Sequence, residues 1–356
     1  MNNKKDIRFT VQPQDLIWRG KAKERLDQLT MPHWALGRLM DLAIDLAGIT
    51  RSLKPETRRK AVIVMAADHG VVSEGVSNYP QEVTVQMVAN FVNRGAGINA
   101  LAGQAGAEVR VVDMGVAGEL SGIMGRGAIV SMPVGRGTAN IAAGPAMTRE
   151  QALQSIENGI SVARGMIEGE GFDLIAVGEM GIGNTTASSA IISAITGKPA
   201  ADVTGRGTGI SDEQVHRKIA VIERALQVNR PVPGDGIDVL AKVGGFEIGG
   251  IAGVIIGAAM LRRPVIIDGL ITTAGALIAW LLAPESADYM IASHRSVEKG
   301  HAIALRHLGK EPLLDLNLRL GEGTGAALAM NLVEAAARIL TEVKTFAEAH
   351  VSEAVE

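Results

Sequence analysis

No cysteine occurs in the 356 residues. That absence excludes disulfides, thiolate-held zinc or iron–sulfur centres and a cysteine nucleophile, and it suits a reducing, cytoplasmic setting. Aromatic residues are nearly as scarce at 3%, and neither sign of charge is in surplus, since 35 Lys and Arg stand against 38 Asp and Glu for a formal charge of −3. A nucleic-acid platform needs a basic face and rings on which bases stack, so both shortages argue against that partner. A long uninterrupted apolar run is also missing. The most apolar stretch, 248–283, is broken by Arg262, Arg263 and Asp268. It offers no clean span of ~20 lipid-compatible residues and reads instead as buried helix, strand, buried helix. The opening MNNKKDIRFT has no apolar segment behind its lysines, which predicts a chain without a secretory signal. The seven histidines show no H-E-x-x-H or similar spacing, so no metal site is expected, and no G-x-S-x-G elbow marks a serine hydrolase.

What is abundant is apolar residues, at 47%, and glycine, at 43 positions. The first allows a large core. The second is about 12% against a usual ~7%, and it points to tight turns and close backbone approaches to a ligand. Short Val/Ile-rich runs end abruptly in glycine or acidic residues, as buried parallel strands do where they pass into loops. They are AVIVMAA (61–67), VRVVD (109–113), DLIAV (173–177), PVIID (264–268) and DYMIAS (288–293), with AIVS (128–131) as a weaker sixth. Between them run helical stripes such as Leu153, Ile156, Ile160, Ala163 and Ile167, or Val215, Ile219, Ile222 and Leu226. Thr148 with Gln151 and Ser211 with Gln214 form capping-box patterns at the heads of these two helices. Strands alternating with helices predict an α/β fold, a doubly wound, mostly parallel, Rossmann-like sheet. The two ends of the chain differ. An apolar face from Leu36 to Ala47, ended by Gly48, and a long stripe from Met330 to Ala347 predict a small helical domain built from 1–50 plus 325–356, with 51–324 as the large catalytic domain.

In open parallel sheets ligands bind beyond the carboxyl ends of the strands. The residues there are Asp68-His69-Gly70, Asp113-Met114-Gly115, the run Gly178 to Thr186, Asp268-Gly269 and Ser293-His294. The run GEMGIGNTT is the most informative. A strand, a glycine-rich turn and a helix opening at Asn184, Thr185 and Thr186 present free backbone N–H groups to an anion. No Gly-Lys-Ser/Thr follows and the third glycine of a dinucleotide fingerprint is missing, so a monophosphate fits better than a triphosphate or dinucleotide. A helix cap with a tight turn explains the same residues without a ligand. In Leu320-Gly321-Glu322-Gly323-Thr324-Gly325 three glycines leave Glu322 unshielded beside an apolar run, an environment that raises a carboxyl pKa toward the range useful to a general base. An acidic residue favoured by a helix N-terminus is the bland alternative.

GEMGIGNTT (178–186), RLGEGTGAALAM (319–330), AADHGV (66–71), NIAAGPAM (140–147), DGIDVLAKVGGFEI (235–248) and SHRSVEKG (293–300) together resemble the nicotinate-nucleotide:dimethylbenzimidazole phosphoribosyltransferase family of cobalamin lower-ligand assembly. The likeness runs from about Leu36 to Ala337. It implies transfer of phosphoribose from nicotinate mononucleotide to 5,6-dimethylbenzimidazole without metal or cofactor, in a homodimer. It further implies Glu322 as the base, Gly181, Ile182, Gly183 and Asn184 around the nucleotide phosphate, and Lys218 as charge partner. Glu179 and Met180 fall between ribose and acceptor, and Tyr79, Gln86 and Met87 in the acceptor pocket. Tyr79 and Met87 depart from the family's small residue and glutamine, and His33-Trp34-Ala35 departs from its Pro-Gly-Ser. Two rival readings share parts of this pattern. A nicotinamide-dependent dehydrogenase would add the full fingerprint with an acid about 20 residues on, and a non-catalytic nucleotide sensor would have no use for Glu322.

Overall fold

Six parallel strands form one sheet in the order β3-β2-β1-β4-β5-β6. The computed structural model describes residues 9–124, 129–207 and 209–352. The MNNKKDIR opening, Ala128 at the head of the weakest expected strand and the last four residues lie outside them. The strands are β1 (Lys60–Ala67), β2 (Ala107–Gly115), β3 (Ile129–Ser131), β4 (Leu174–Met180), β5 (Val265–Ile267) and β6 (Met290–Ala292). All six expected runs are therefore strands. The last is shorter than its apolar run because a 3₁₀ turn, Pro284–Tyr289, takes up its first residues.

Helices cover both faces of the sheet. In chain order they include α1 (Leu16–Leu26), α2 (Arg38–Thr50), α3 (Val83–Val92), α4 (Gly97–Ala105), α5 (Arg149–Arg164), α6 (Asn184–Thr196), α7 (Asp212–Asn229), α8 (Phe246–Met260), α9 (Leu270–Leu282) and α10 (Thr324–Glu342). The period-2 alternation of a strand sorts the core into two layers. Ala61, Ile63 and Met65 of β1 pack with α5, α6, α8 and α9. Val62, Val64 and Ala66 pack with α2, α4 and α10 on the other face. The 248–283 stretch is buried helix, strand, buried helix, and no helix among the described residues is long and apolar enough to cross a membrane. Helices α5 and α8 approach so closely that a Cβ on Gly159 would lie 2.1 Å from the Gly250 carbonyl oxygen, and one on Gly253 2.0 Å from that of Ile156.

Both capping boxes form. The Gln151 N–H donates to Thr148 Oγ1 at 3.2 Å and the Gln214 N–H to Ser211 Oγ at 3.3 Å, with the amide side chains answering. Two helix ends differ from expectation. Gly48 lies inside α2, which continues to Thr50 and closes on left-handed Arg51. The glycine serves packing, since a Cβ there would meet Arg19 Cγ at 2.6 Å. The C-terminal stripe breaks after Glu342 because Thr345 caps a separate short turn, Phe346–Ala349. Helices α1, α2 and α10 pack on one another, and their buried residues share one apolar cluster with β1.

Candidate active site

The strand order reverses direction between β1 and β4, so the loops leaving those two strands diverge and open a crevice at the carboxyl edge. Strand β4 ends in Glu179 and Met180, and a turn through Gly181, Ile182 and Gly183 leads straight into α6. Gly183 has φ +93°, left-handed backbone that a side chain rarely adopts. The Ile182 N–H donates to Thr84 Oγ1 at 3.2 Å and the Asn184 N–H to the Gly181 carbonyl at 3.1 Å. The N–H groups of Gly183 and Thr185, at the positive end of α6, have no hydrogen-bond partner among the described residues. Of the four residues expected around a phosphate, two thus keep their backbone donors engaged, and Thr185 joins Gly183 as an open donor.

Lys218, on α7, is fully buried and donates from Nζ to Thr185 Oγ1 at 2.7 Å. Burial pushes its pKa down to about 8, against the pull of Glu298. Glu298 in turn accepts the Gly207 N–H at 2.9 Å.

Glu322 sits on a turn in which Gly321, Glu322 and Gly323 have φ +86°, +62° and +92°. A non-glycine residue in that region is strained and needs its surroundings to hold it. Several contacts do. Strand β4 presses against the turn, so that a Cβ on Gly178 would lie 2.2 Å from the Glu322 carbonyl oxygen. The Glu322 N–H donates to Glu179 Oε1 at 3.4 Å, and its own Oε2 accepts the Ile98 N–H at 3.0 Å. Asp268, just past β5, accepts from Gly323 N–H at 3.2 Å and Ala326 N–H at 2.9 Å, capping α10. Glu179 also accepts from the Asn184 side-chain amide.

These carboxylates are crowded and dry. Burial, then the charge of Asp268, raises Glu179 to about 8. Burial raises Asp268 to about 7 despite its backbone donors. Glu322 is raised by burial, partly offset by the Ile98 N–H. His294, after β6, lies 3.0 Å from Ser293 Oγ and 3.6 Å from Asp268 Oδ1 through Nδ1, and burial lowers its pKa to about 4, so it is neutral.

A cavity of about 690 Å³ joins these groups. Of the residues singled out in the sequence, Tyr79, Met87, Glu179, Met180, Gly181, Ile182, Asn184 and Glu322 line it. Gly183 and Lys218 sit behind its wall. Gln86 instead lines a neighbouring pocket of about 420 Å³ with Asp68, Gln81 and Glu82. One residue along a helix turns the side chain by about 100°, which takes Gln86 off the flank that carries Met87. Asp268 and His294, with Thr185, are singled out in the sequence without an assigned part in the site, and Glu298 and Arg319 are passed over. The first two stand among the strand-end residues, but nothing in the chain pairs Asp268 with a helix that begins 56 positions later. Thr185 lies in the helix opening, and Glu298 and Arg319 inside SHRSVEKG and RLGEG, with no local pattern to mark them. Among the described residues no group of three or more His, Asp or Glu side chains is arranged to hold a metal ion.

Open backbone donors beside a buried carboxyl group of raised pKa suit group transfer between a phosphorylated sugar and a ring nitrogen, and the likeness to known proteins agrees. A family model described as phosphoribosyltransferase matches residues 11–351. The chain is similar to nicotinate-nucleotide–dimethylbenzimidazole phosphoribosyltransferases from Syntrophotalea carbinolica, 62% identical over 96% of this chain and 97% of that one, and from Roseiflexus, 56% identical over 97% of each. Among solved structures, that of the protein of the same name from Thermus thermophilus superposes with a TM-score of 0.89 at 48% identity, over 96% of this chain and all of that one. The chain belongs to the nicotinate-nucleotide–dimethylbenzimidazole phosphoribosyltransferase family.

Proposed function

We propose that this chain transfers the phosphoribosyl group of nicotinate mononucleotide to 5,6-dimethylbenzimidazole, releasing nicotinate and forming the α-ribazole 5′-phosphate that supplies the lower ligand of cobalamin. The observation that carries the reading is the buried, raised Glu322 carboxylate on the same cavity as Glu179 and the open end of α6. The nucleotide phosphate takes the free N–H groups of Gly183 and Thr185, with the Lys218 ammonium acting through the Thr185 hydroxyl. Glu322 removes the proton from one benzimidazole nitrogen while the other nitrogen attacks C1′ from the face opposite the pyridinium. The C1′–N bond to nicotinate breaks, its electron pair returns to the pyridine nitrogen, and the β-nucleotide becomes an α-glycoside. A pyridinium that leaves as a neutral ring nitrogen needs no acid, and no pyrophosphate is present that would call for a metal. Glu179 and Asp268 hold the turn that carries Glu322 through backbone hydrogen bonds.

Met180, Tyr79 and Met87 form the apolar side of the acceptor pocket, and Gln86 serves it from the adjoining flank of α3. The protein works as a homodimer in the cytoplasm, and the described residues of its terminal segments, 1–50 and 325–356, form a helical subdomain whose core is continuous with the sheet of 51–324. The test is incubation with nicotinate mononucleotide and a panel of benzimidazoles, purines and phenols. Nicotinate release with a benzimidazole is the expected result. Tight binding without release would make the protein a sensor, and release of no nicotinate from any pair would refute the reaction.

A further inference from the structure

The residues lining the active-site cavity have an uneven charge. Glu179, Glu298 and Glu322 bring three carboxylates, and Arg319 is the one Lys or Arg among the described lining residues. The carboxylates lie deep, with Glu179 at 6% and Glu322 at 7% exposure. Arg319 lies at the mouth, exposed, and its guanidinium makes no hydrogen bond or ion pair to any described residue. Beside it Leu320 is 60% exposed, and Tyr79, also on the lining, is 50% exposed. The mouth therefore carries an unpaired planar cation beside exposed apolar side chains, and the deeper lining holds carboxyl groups and no cation among the described residues.

The donor proposed above has two anionic groups. Its phosphate is met by the end of α6 and, through the Thr185 hydroxyl, by Lys218, groups with which Arg319 shares no hydrogen bond or ion pair. Its other anion is the carboxylate on the pyridinium ring, and Arg319 is the one cationic side chain among the described lining residues that could meet it. The geometry points to Arg319 as the residue that recognises the donor's aromatic carboxylate and so separates nicotinate mononucleotide from the carboxamide analogue, nicotinamide mononucleotide. A guanidinium suits this task because it stays charged at any physiological pH and meets a carboxylate with two parallel N–H donors while its face packs on a flat ring.

This assignment rests on the donor reading, and the experiment separates the two. Initial rates of wild type, Arg319→Gln and Arg319→Lys are measured with each donor at saturating 5,6-dimethylbenzimidazole, together with the KM for the base. Wild type is expected to favour the nicotinate donor in kcat/KM by about tenfold or more, the scale of one charge-assisted hydrogen bond. Arg319→Gln should bring the two donors within about threefold of each other, by losing rate with the acid and little with the amide, at unchanged KM for the base, and Arg319→Lys should fall between. Because both donors carry the phosphate, an equal loss with both would mean that Arg319 binds phosphate, and would overturn the assignment. An unchanged ratio would overturn it too. If wild type itself releases nothing from either donor, the proposed reaction fails, a result the variants do not mimic.

Discussion

The base role proposed for Glu322 follows from where its backbone is held. A glutamate with φ +62° between two left-handed glycines has no room to relax, and its carboxyl points into the cavity with one N–H, from Ile98, for company. Replacement by glutamine keeps an oxygen for that N–H and removes the base. The expected outcome for Glu322→Gln is unchanged melting temperature and donor affinity with turnover reduced by roughly 10² to 10⁴-fold, the usual worth of general-base catalysis. A variant within about threefold of wild type on that scale would remove Glu322 from the chemistry. The base must be ionised to act. Since burial raises its pKa, the rate falls as pH drops through a value above the ordinary carboxylate range.

Glu179 makes a prediction of a different kind, about stability. Its pKa is about 8 in the folded chain against an ordinary value of 4.5. Between those two values the folded state holds a proton that the unfolded state has released, so stability is greatest below the lower value and is lost as pH rises through the upper one. Asp268, raised to about 7, acts with the same sign. Melting curves from about pH 5 to 9, which span both groups, should therefore show a falling midpoint in wild type and a shallower slope in Glu179→Gln. Parallel slopes would mean that the carboxylate is not the group titrating.

At the scale of elements, the junction of β4 with α6 does two jobs, since the strand packs against the Glu322 turn through Gly178 and the helix opens its N–H groups through Gly183. A side chain at Gly183 is strained at φ +93° and would meet Val72 Cγ2 at 2.9 Å. Gly183→Val should accordingly raise the KM for nicotinate mononucleotide by about tenfold or more, on the scale of one or two lost charge-assisted hydrogen bonds, and leave that for the base nearly unchanged. Equal effects on both substrates would deny the helix end its phosphate. This junction was legible in the chain because its causes are local: a run of buried residues, then glycines, then helix formers. The strands were legible for the same reason, since a parallel strand buried on both faces reads as continuous Val and Ile. The grip of Asp268 on α10 was not, because it joins residues 55 and 58 positions apart. Nor was the outward turn of Gln86, which depends on how α3 rolls against the sheet and not on its own sequence.

At the scale of the whole molecule, the sheet order matters more than any motif, because it brings the ends of β4, β5 and β6 to one cavity. The acceptor side of that cavity combines Tyr79, Val83 and Met87 of one segment with Met180 and Leu320 of others. Apart from the Tyr79 hydroxyl none of these side chains carries a strong hydrogen-bonding group, and Gln86, which does, lines the adjoining pocket. A wall of thioether and aliphatic groups reads its ligand by shape, and methionine adapts to more than one shape. Discrimination by apolar fit is worth about 1 to 3 kcal/mol per methylene, or about 10 to 200-fold. Benzimidazole and 5,6-dimethylbenzimidazole should therefore both be accepted, with the methylated base preferred for its two methyl groups together by no more than roughly 4 × 10⁴-fold. Competition between the two in one tube, with products separated and counted, measures that ratio directly. Complete rejection of the unmethylated base would mean that a polar group closes on the acceptor when it binds, with Gln86 swinging across α3 the first to test by Gln86→Leu.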